Sequence, residues 1–156
     1  MTPAQLATLK AAILADPVLV AWPQGSDGAF EIAAALNLPA TPPFIVWRSS
    51  LTPELSRKAI IAGAVQLDNL TVGKRDALLY LCAGTLDCTD AALRDAIDNL
   101  CGTQNTLKAS LVAAEKRSAL RIEKIFSTGT GSDASPALCA REGTVTYSEV
   151  REARES

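Results

Sequence analysis

The chain has 156 residues, of which 48% are apolar and 4% aromatic, and its formal charge at neutral pH is −2. This length can bury a core without disulfides, and the balanced charge argues against a dedicated nucleic-acid binder, which would carry a basic stripe. No apolar run approaches the ~20 residues of a membrane span and no signal peptide is evident, so we expect a protein made and used in a cytoplasm.

The first half of the chain predicts a series of short helices separated by loops. A capping box at residues 2–5 begins the first helix, which ends at Asp16, before a proline. A second helix, capped by either Ser26 or Asp27, is predicted to run through Leu36. Two further helices are expected to begin at Thr52 and Thr71, because each hydroxyl can cap a helix at its N-terminus.

A proline-rich segment separates the second and third of these helices. Pro39, Pro42 and Pro43 exclude a helix here and favour an extended chain. An apolar, β-favouring run, residues 44–47, follows directly. Two interpretations stay open for this run: filling of a core beneath the loop, or a hydrophobic contact for a partner.

The second half predicts a helical hairpin. A helix beginning at residues 89–90 carries apolar side chains on one face, and a long helix over residues 104–126 follows almost at once. In the long helix, apolar residues recur at steps of three, four or multiples of these: Leu107, Leu111, Ala114, Ile122 and Ile125. No Gly or Pro interrupts it, so we expect about six uninterrupted turns, around which the rest of the chain is organised.

The segment after the long helix predicts a small arm. A Gly/Ser/Thr loop at residues 127–132 ends the helix, and two short strands are expected at 136–142 and 144–147, joined at Glu142-Gly143. Thr146 and Glu149 form a capping box that begins a last short helix. The predicted fold is therefore mainly α: a helical bundle built on a long helix in the C-terminal half, with a short β-hairpin or extended arm near the C-terminus. Residues 1–135 would form the helical body and residues 136–156 a docking arm of the same domain.

The sequence offers no residues for catalysis, a metal or a cofactor. It contains no His, which excludes Ser-His and Cys-His nucleophilic systems. Gly73-Lys74-Arg75 lacks the earlier Gly and the following Ser or Thr of a phosphate-binding loop. The four cysteines are not in C-x-x-C pairs and are interpreted as buried free thiols: Cys82, Cys88, Cys101 and Cys139. We therefore predict that the protein is not an enzyme.

Three basic residues share one face of the predicted long helix: Arg117, Arg121 and Lys124. One interpretation is a solvated face that balances the helix dipole. The other is a salt-bridging surface for an acidic protein or for DNA passing nearby. The glycine-rich segment at 129–132 is interpreted as a flexible loop, because it follows a helix instead of opening one.

Several stretches, in order along nearly the whole chain, resemble small neck proteins of tailed bacteriophages. They are LKAAI at 9–13, ATPPFIVWRSS at 40–50, VQLDNLTVGK at 65–74, IFSTGTGS at 125–132, SPA at 135–137 and EGT at 142–144. The most specific is IFSTGTGS. Residues 56–59 depart from the family in being shortened and more charged.

This resemblance implies a virion structural protein, the head-to-tail adaptor. Such proteins form a homo-oligomeric ring beneath the portal, expected here to be twelve-fold, which extends the DNA channel and docks the next neck or tail protein. The partners would be the portal protein and that downstream protein. DNA would pass without specific binding, and no membrane or cofactor would be involved. The protein would assemble in the host cytoplasm and lie in the neck of the virion.

Eight residues are the candidate partner interface: Phe44, Trp47, Arg117, Arg121, Tyr147, Val150, Arg151 and Arg154. Aromatic and arginine side chains are typical anchors of interfaces. The alternative function is a small cytoplasmic nucleic-acid-binding or regulatory module, which would bind through Arg117, Arg121 and Lys124 in a salt-dependent manner.

Overall fold

A computed structural model describes all 156 residues and shows a mostly helical protein, as predicted. The helices are α1 Pro3–Ala15, α2 Pro17–Val20, α3 Ser26–Leu36, α4 Pro53–Ala62, α5 Ala64–Leu67, α6 Val72–Cys82, α7 Ala91–Cys101, α8 Asn105–Glu115, α9 Arg121–Ile125 and α10 Tyr147–Glu155. The strands are β1 Ile45–Trp47, β2 Lys116–Ser118, β3 Ser127–Thr128 and β4 Leu138–Cys139.

The chain folds into two compact units. The first unit consists of Met1–Val46 and Ser118–Ser156, and the second is the continuous segment Trp47–Arg117. The chain therefore passes from one unit to the other inside β1 and again inside β2. The division expected from the sequence, at residue 135, does not coincide with these boundaries.

The core of the first unit lies among α1, α3, α9 and α10. Its fully buried side chains include Leu9, Ile13, Ile32, Leu36, Ile122 and Val150. Helix α10 packs against both α1 and α3 and supplies Val150 and Ala153 to this core. Residues 136–156 were expected to form a docking arm. They instead include α10, which is part of the core of the first unit.

The core of the second unit lies among α4, α6, α7 and α8, with α4 packed along α8 and α6 against α7. Its buried side chains include Leu51, Leu78, Ile97, Leu107 and Leu111, together with three cysteines. Helices α4 and α8 approach closely at Gly63, where a Cβ atom would lie 2.6 Å from the Cα of Leu107. A side chain at this position would therefore push the two helices apart.

Local capping signals place several helix starts correctly, but the Thr71 hydroxyl, expected to cap α6, makes no capping hydrogen bond, and no side chain caps α3. Thr2 Oγ1 accepts the Gln5 N–H at 3.2 Å while Gln5 Oε1 accepts the Thr2 N–H at 2.9 Å, which is a complete capping box. The same arrangement at Thr146 begins α10. Side chains of Thr52 and Asp90 cap α4 and α7. The capping box predicted at each end of the chain is confirmed.

The uninterrupted helix predicted over residues 104–126 is wrong. Helix α8 ends at Glu115, and residues 116–118 are extended. In the second unit, the Arg48 N–H donates to the Glu115 carbonyl at 2.8 Å, and Arg48 Nε donates to the carbonyls of Ala114 and Lys116. Arg48, distant in sequence, thus binds carbonyls that the next turn of helix would have used.

Pairing in the first unit keeps the chain extended after residue 118. The Ala119 N–H donates to the Phe44 carbonyl at 2.8 Å, and the Arg121 N–H donates to the Leu38 carbonyl at 2.9 Å. Helical periodicity in the sequence could not show this. The competing acceptors, the Leu38 and Phe44 carbonyls, lie far away in the sequence, and only the folded protein brings them close.

The predicted β-hairpin between residues 136–142 and 144–147 does not form, and a different hairpin is present. Strands β3 and β4 are antiparallel, with Ser127 opposite Cys139 and Thr128 opposite Leu138. The glycine-rich segment therefore forms the connection of the hairpin. Residues 144–146 are not a strand: Val145 instead exchanges two hydrogen bonds with the Asn37 amide, at 2.8 and 2.9 Å.

Candidate partner interface

The eight candidate interface residues are divided between the two units. The first unit contains Phe44, Arg121, Tyr147, Val150, Arg151 and Arg154, and the second contains Trp47 and Arg117. Within each unit, these residues lie in several separate places and do not form one continuous surface.

Helix α10 uses some of these residues internally. Val150 has no exposed surface and belongs to the core, so it presents nothing to a partner. Arg154 donates to the carbonyls of Trp22 and Pro23, both at 2.9 Å, and so fastens α10 to the loop before α3. Arg151 is exposed and forms a long ion pair with Glu155. Of these three, only Arg151 remains available to a partner.

An apolar groove lies between α3 and the start of α10. Phe30 and Tyr147 form its rim and are 63% and 50% exposed. Ala33, Ala34 and Val145 line it further, and its volume is about 380 Å³. Two exposed aromatic rings beside an apolar groove are the features that protein interfaces share. Phe30 was missed as an interface residue by sequence reasoning, because it falls at helical spacing with the apolar Ala33, Ala34 and Leu36 and nothing in that pattern marks it as exposed.

Phe44 has a mainly structural role. It is half-buried and packs against a small core of Val46, Ala119 and Ala137. Gly131 lies directly against its ring, in the left-handed region at φ +65°, so that a Cβ at this position would overlap the ring. Core filling is therefore the interpretation that the structure supports for Phe44.

Trp47, in the second unit, is covered by an arginine. The guanidinium of Arg94 lies 4.3 Å from the centre of the Trp47 ring, and Arg94 also donates to the Cys88 carbonyl at 2.6 Å. This cation–π contact stabilises the start of the second unit by about 1 kcal/mol. It leaves Trp47 half-buried, with less apolar surface for a partner than its sequence context indicated.

The predicted basic face does not exist as a single helix face. Arg117 lies in β2, whereas Arg121 and Lys124 lie in α9 of the first unit. Arg121 donates to Asp16 Oδ2 at 3.0 Å, while Asp16 Oδ1 accepts the N–H groups of Val18 and Leu19. Arg121 therefore acts first as an internal tie that holds α9 to the start of α2.

Arg121 and Lys124 nevertheless share a cavity of about 340 Å³ in the first unit. Its apolar lining residues are Leu19, Leu36, Ala40 and Ile125, and its polar lining residues are Asp16, Thr41, Arg121 and Lys124. Asp16 and Arg121 neutralise each other in an ion pair. Lys124 therefore supplies the positive charge that could attract a negatively charged group in this cavity. Lys124 itself lies 5.5 Å from the Phe44 ring centre.

The second unit buries a carboxylate, Glu115, at the C-terminal end of α8. It is 1% exposed, and its Oε1 has no hydrogen-bond partner. Burial raises the pKa of Glu115 to about 7; the charge of Asp98 adds to the rise, and Arg94 and Lys116 oppose it. An acid that titrates near neutral pH can act in proton transfer, but Glu115 is 1% exposed and so presents almost no surface to a substrate.

All four cysteines are free thiols, as predicted, and three of them are buried; Cys139, also expected to be buried, is half-buried. Burial raises the pKa of Cys82 to about 11 and that of Cys88 to about 12, which makes both poor nucleophiles. No group of three or more cysteine and acidic side chains is placed to hold a metal ion. None of the helices combines the length and apolar character needed to cross a membrane.

Comparison with protein-family models, with curated proteins and with solved structures gave no significant match.

Proposed function

We propose that this chain is a virion structural protein of a tailed bacteriophage, the head-to-tail adaptor. Its copies form a ring beneath the portal, extend the DNA channel and dock the next neck or tail protein. The proposal starts from the sequence resemblance in residues 9–144. The structural observation that carries it further is the apolar groove with Phe30 and Tyr147 on its rim.

The groove suits a protein partner better than a small polar ligand. Its lining is alanine, valine and two aromatic rings, and the polar groups of Asn37 and Thr146 are already engaged within the protein. Aromatic anchors in an apolar setting supply most of the binding free energy in protein interfaces. We assign this groove to the portal or to the downstream neck protein.

The nucleic-acid-binding alternative loses its main support. It required Arg117, Arg121 and Lys124 on one helix face, and α8 ends before all three. Arg121 is held by Asp16 at 3.0 Å, which lowers the positive charge that it offers to phosphate. No other observation favours this function.

The test is the solution mass of the purified chain, alone and with portal protein, measured by light scattering and native mass spectrometry. A ring, or a large complex formed only with the portal, is expected. Deletion of residues 136–156 is a poor variant, because α10 belongs to the core of the first unit. Tyr147→Glu is the sharper change, since it places a charge on the groove rim and leaves that core intact.

Tyr147→Glu is expected to weaken portal or neck-protein binding at least tenfold, a loss of about 1.4 kcal/mol. The matched control is Ala7→Glu, on an exposed position of α1. Circular dichroism checks that both variants keep their helices. A chain that stays monomeric with every neck component, or that binds DNA in low salt instead, would contradict the adaptor function.

A further inference from the structure

We propose that the cavity beside Arg121 and Lys124 is the receptor for helix α6 of a second copy of this chain. The inference rests on the proposed ring, and it names the contact between neighbouring subunits. It concerns a surface separate from the Phe30–Tyr147 groove, which is assigned to another protein. Two features carry it: an apolar cavity with one uncompensated cation, and an exposed ridge with one acid between apolar side chains.

The cavity combines an apolar floor with a fixed positive charge. Asp16 and Arg121 neutralise each other through a contact of 3.0 Å. Lys124 also lines the cavity and forms no ion pair in the structure. A cavity of about 340 Å³ lies in the range that can hold large side chains. It therefore suits an acidic group that lies beside an apolar one.

The ridge is on α6, in the second unit. Val72, Asp76 and Tyr80 are spaced by four residues and so lie along one helix face. All three are exposed; Tyr80 is 86% exposed and the Asp76 side chain 65%. The buried residues of α6, Leu78 and Cys82, are at other positions of the helix. Asp76 forms an ion pair with Arg75 at 3.8 Å, a long and exposed contact.

The two surfaces are chemically complementary. Asp76 supplies a negative charge that can pair with Lys124. Val72 or Tyr80 supplies an apolar side chain that the apolar residues of the cavity can cover. Burying one tyrosine removes on the order of 150–250 Å² of surface from water. The receptor and the ridge are different surfaces of the same chain, so contact between them is heterologous. Heterologous contacts that close on themselves produce rings, which is the assembly that an adaptor needs.

A charge exchange tests the contact directly. Lys124→Glu and Asp76→Lys are each expected to reduce ring formation at least tenfold, measured as the ring fraction by light scattering over a concentration series. The double variant, Lys124→Glu with Asp76→Lys, is expected to restore most of it. Glu54→Lys, which reverses an exposed acid on α4, is the control and should leave the ring unchanged. Loss of the ring in both single variants without recovery in the double variant would overturn the proposal.

Cysteine cross-linking keeps the proposal testable even where the ring is weak. In a Cys139→Ser background, one preparation carries Lys124→Cys and another carries Asp76→Cys. Mixing them under mild oxidation should produce a covalent dimer of the two variants in preference to dimers of either alone. Absence of that mixed dimer in a preparation that forms rings overturns this inference but leaves the adaptor function standing. A mixed dimer from a chain that ignores the portal supports the contact and contradicts the adaptor function.

Discussion

Each unit of this protein buries one glutamate, and the two are treated differently by their surroundings. Glu123, in the first unit, is 2% exposed, and its two carboxylate oxygens accept the N–H groups of Leu120 and Gly143, both at 2.8 Å. Glu115, in the second unit, is 1% exposed, and its Oε1 accepts nothing. The two carboxylates are therefore equally buried, but Glu123 accepts a hydrogen bond at each oxygen whereas Glu115 Oε1 accepts none.

The comparison shows that hydrogen bonding decides what a buried charge does to a fold. In the first unit the carboxylate joins the start of α9 to the loop at Gly143, so Glu123 acts as a cross-link within that unit. In the second unit the carboxylate ends a helix among apolar residues and thiols, so it costs stability when it ionises.

The largest effect is expected from removing the cross-link. Glu123→Ala removes the carboxylate that accepts the N–H groups of Leu120 and Gly143. A hydrogen bond to a charged group contributes about 1.5–3 kcal/mol, so we expect a loss of about 4 kcal/mol in the free energy of unfolding. Urea denaturation followed by circular dichroism measures this. Glu152→Ala, an exposed glutamate on α10, is the control. A loss below about 1 kcal/mol would show that the two N–H groups find other partners.

The next effect concerns Glu115 and pH. Because its pKa of about 7 lies above the ordinary value of 4.5, the free-energy cost of ionising it is absent below about pH 4.5 and complete above pH 7. The stability of the second unit should therefore fall by about 3 kcal/mol as pH rises from about 4.5 to 7, since one pKa unit corresponds to about 1.4 kcal/mol. Denaturation midpoints between pH 4.5 and 8 measure the fall.

Glu115→Gln should remove most of this pH dependence and leave the variant more stable than the wild type at pH 8. Asp95→Asn is the control, because Asp95 is an exposed acid on α7. A wild-type profile that is flat between pH 5 and 8 would mean that Glu115 titrates as an ordinary glutamate and that the contrast between the two units is wrong.

The smallest effect tests whether the second unit can relax around Glu115. Gly63→Ala places a Cβ within 2.6 Å of the Leu107 Cα and wedges α4 away from α8, the helix that ends in Glu115. We expect a loss of about 2 kcal/mol and a shallower pH profile, because a looser core admits water to the carboxylate. Gly73→Ala is the matched control: nothing lies near a Cβ there, and alanine favours the helix by about 0.5 to 1 kcal/mol. Equal stabilities for the two variants would contradict the close packing of α4 and α8.

Sequence reasoning was weakest at the candidate interface. Arg154 and Val150 were selected for their residue types, yet one fastens α10 to the Trp22 and Pro23 carbonyls and the other fills the core. Phe30 was passed over because its exposure depends on which face of α3 the rest of the first unit covers. The pairing of Arg121 with Asp16 joins residues far apart in sequence, and no local pattern indicates it.

The sequence by itself determined the mostly helical character and the starts of α1, α7 and α10, because capping at Thr2, Asp90 and Thr146 is decided by residues within one turn. Only the tertiary structure decided where α8 stops. Apolar residues continue at helical spacing past Glu115, but Arg48 in the second unit and Phe44 in the first offer hydrogen bonds that hold residues 116–119 extended. Helix formation depends on neighbours in the chain, whereas an extended segment depends on partners that only the folded protein brings close.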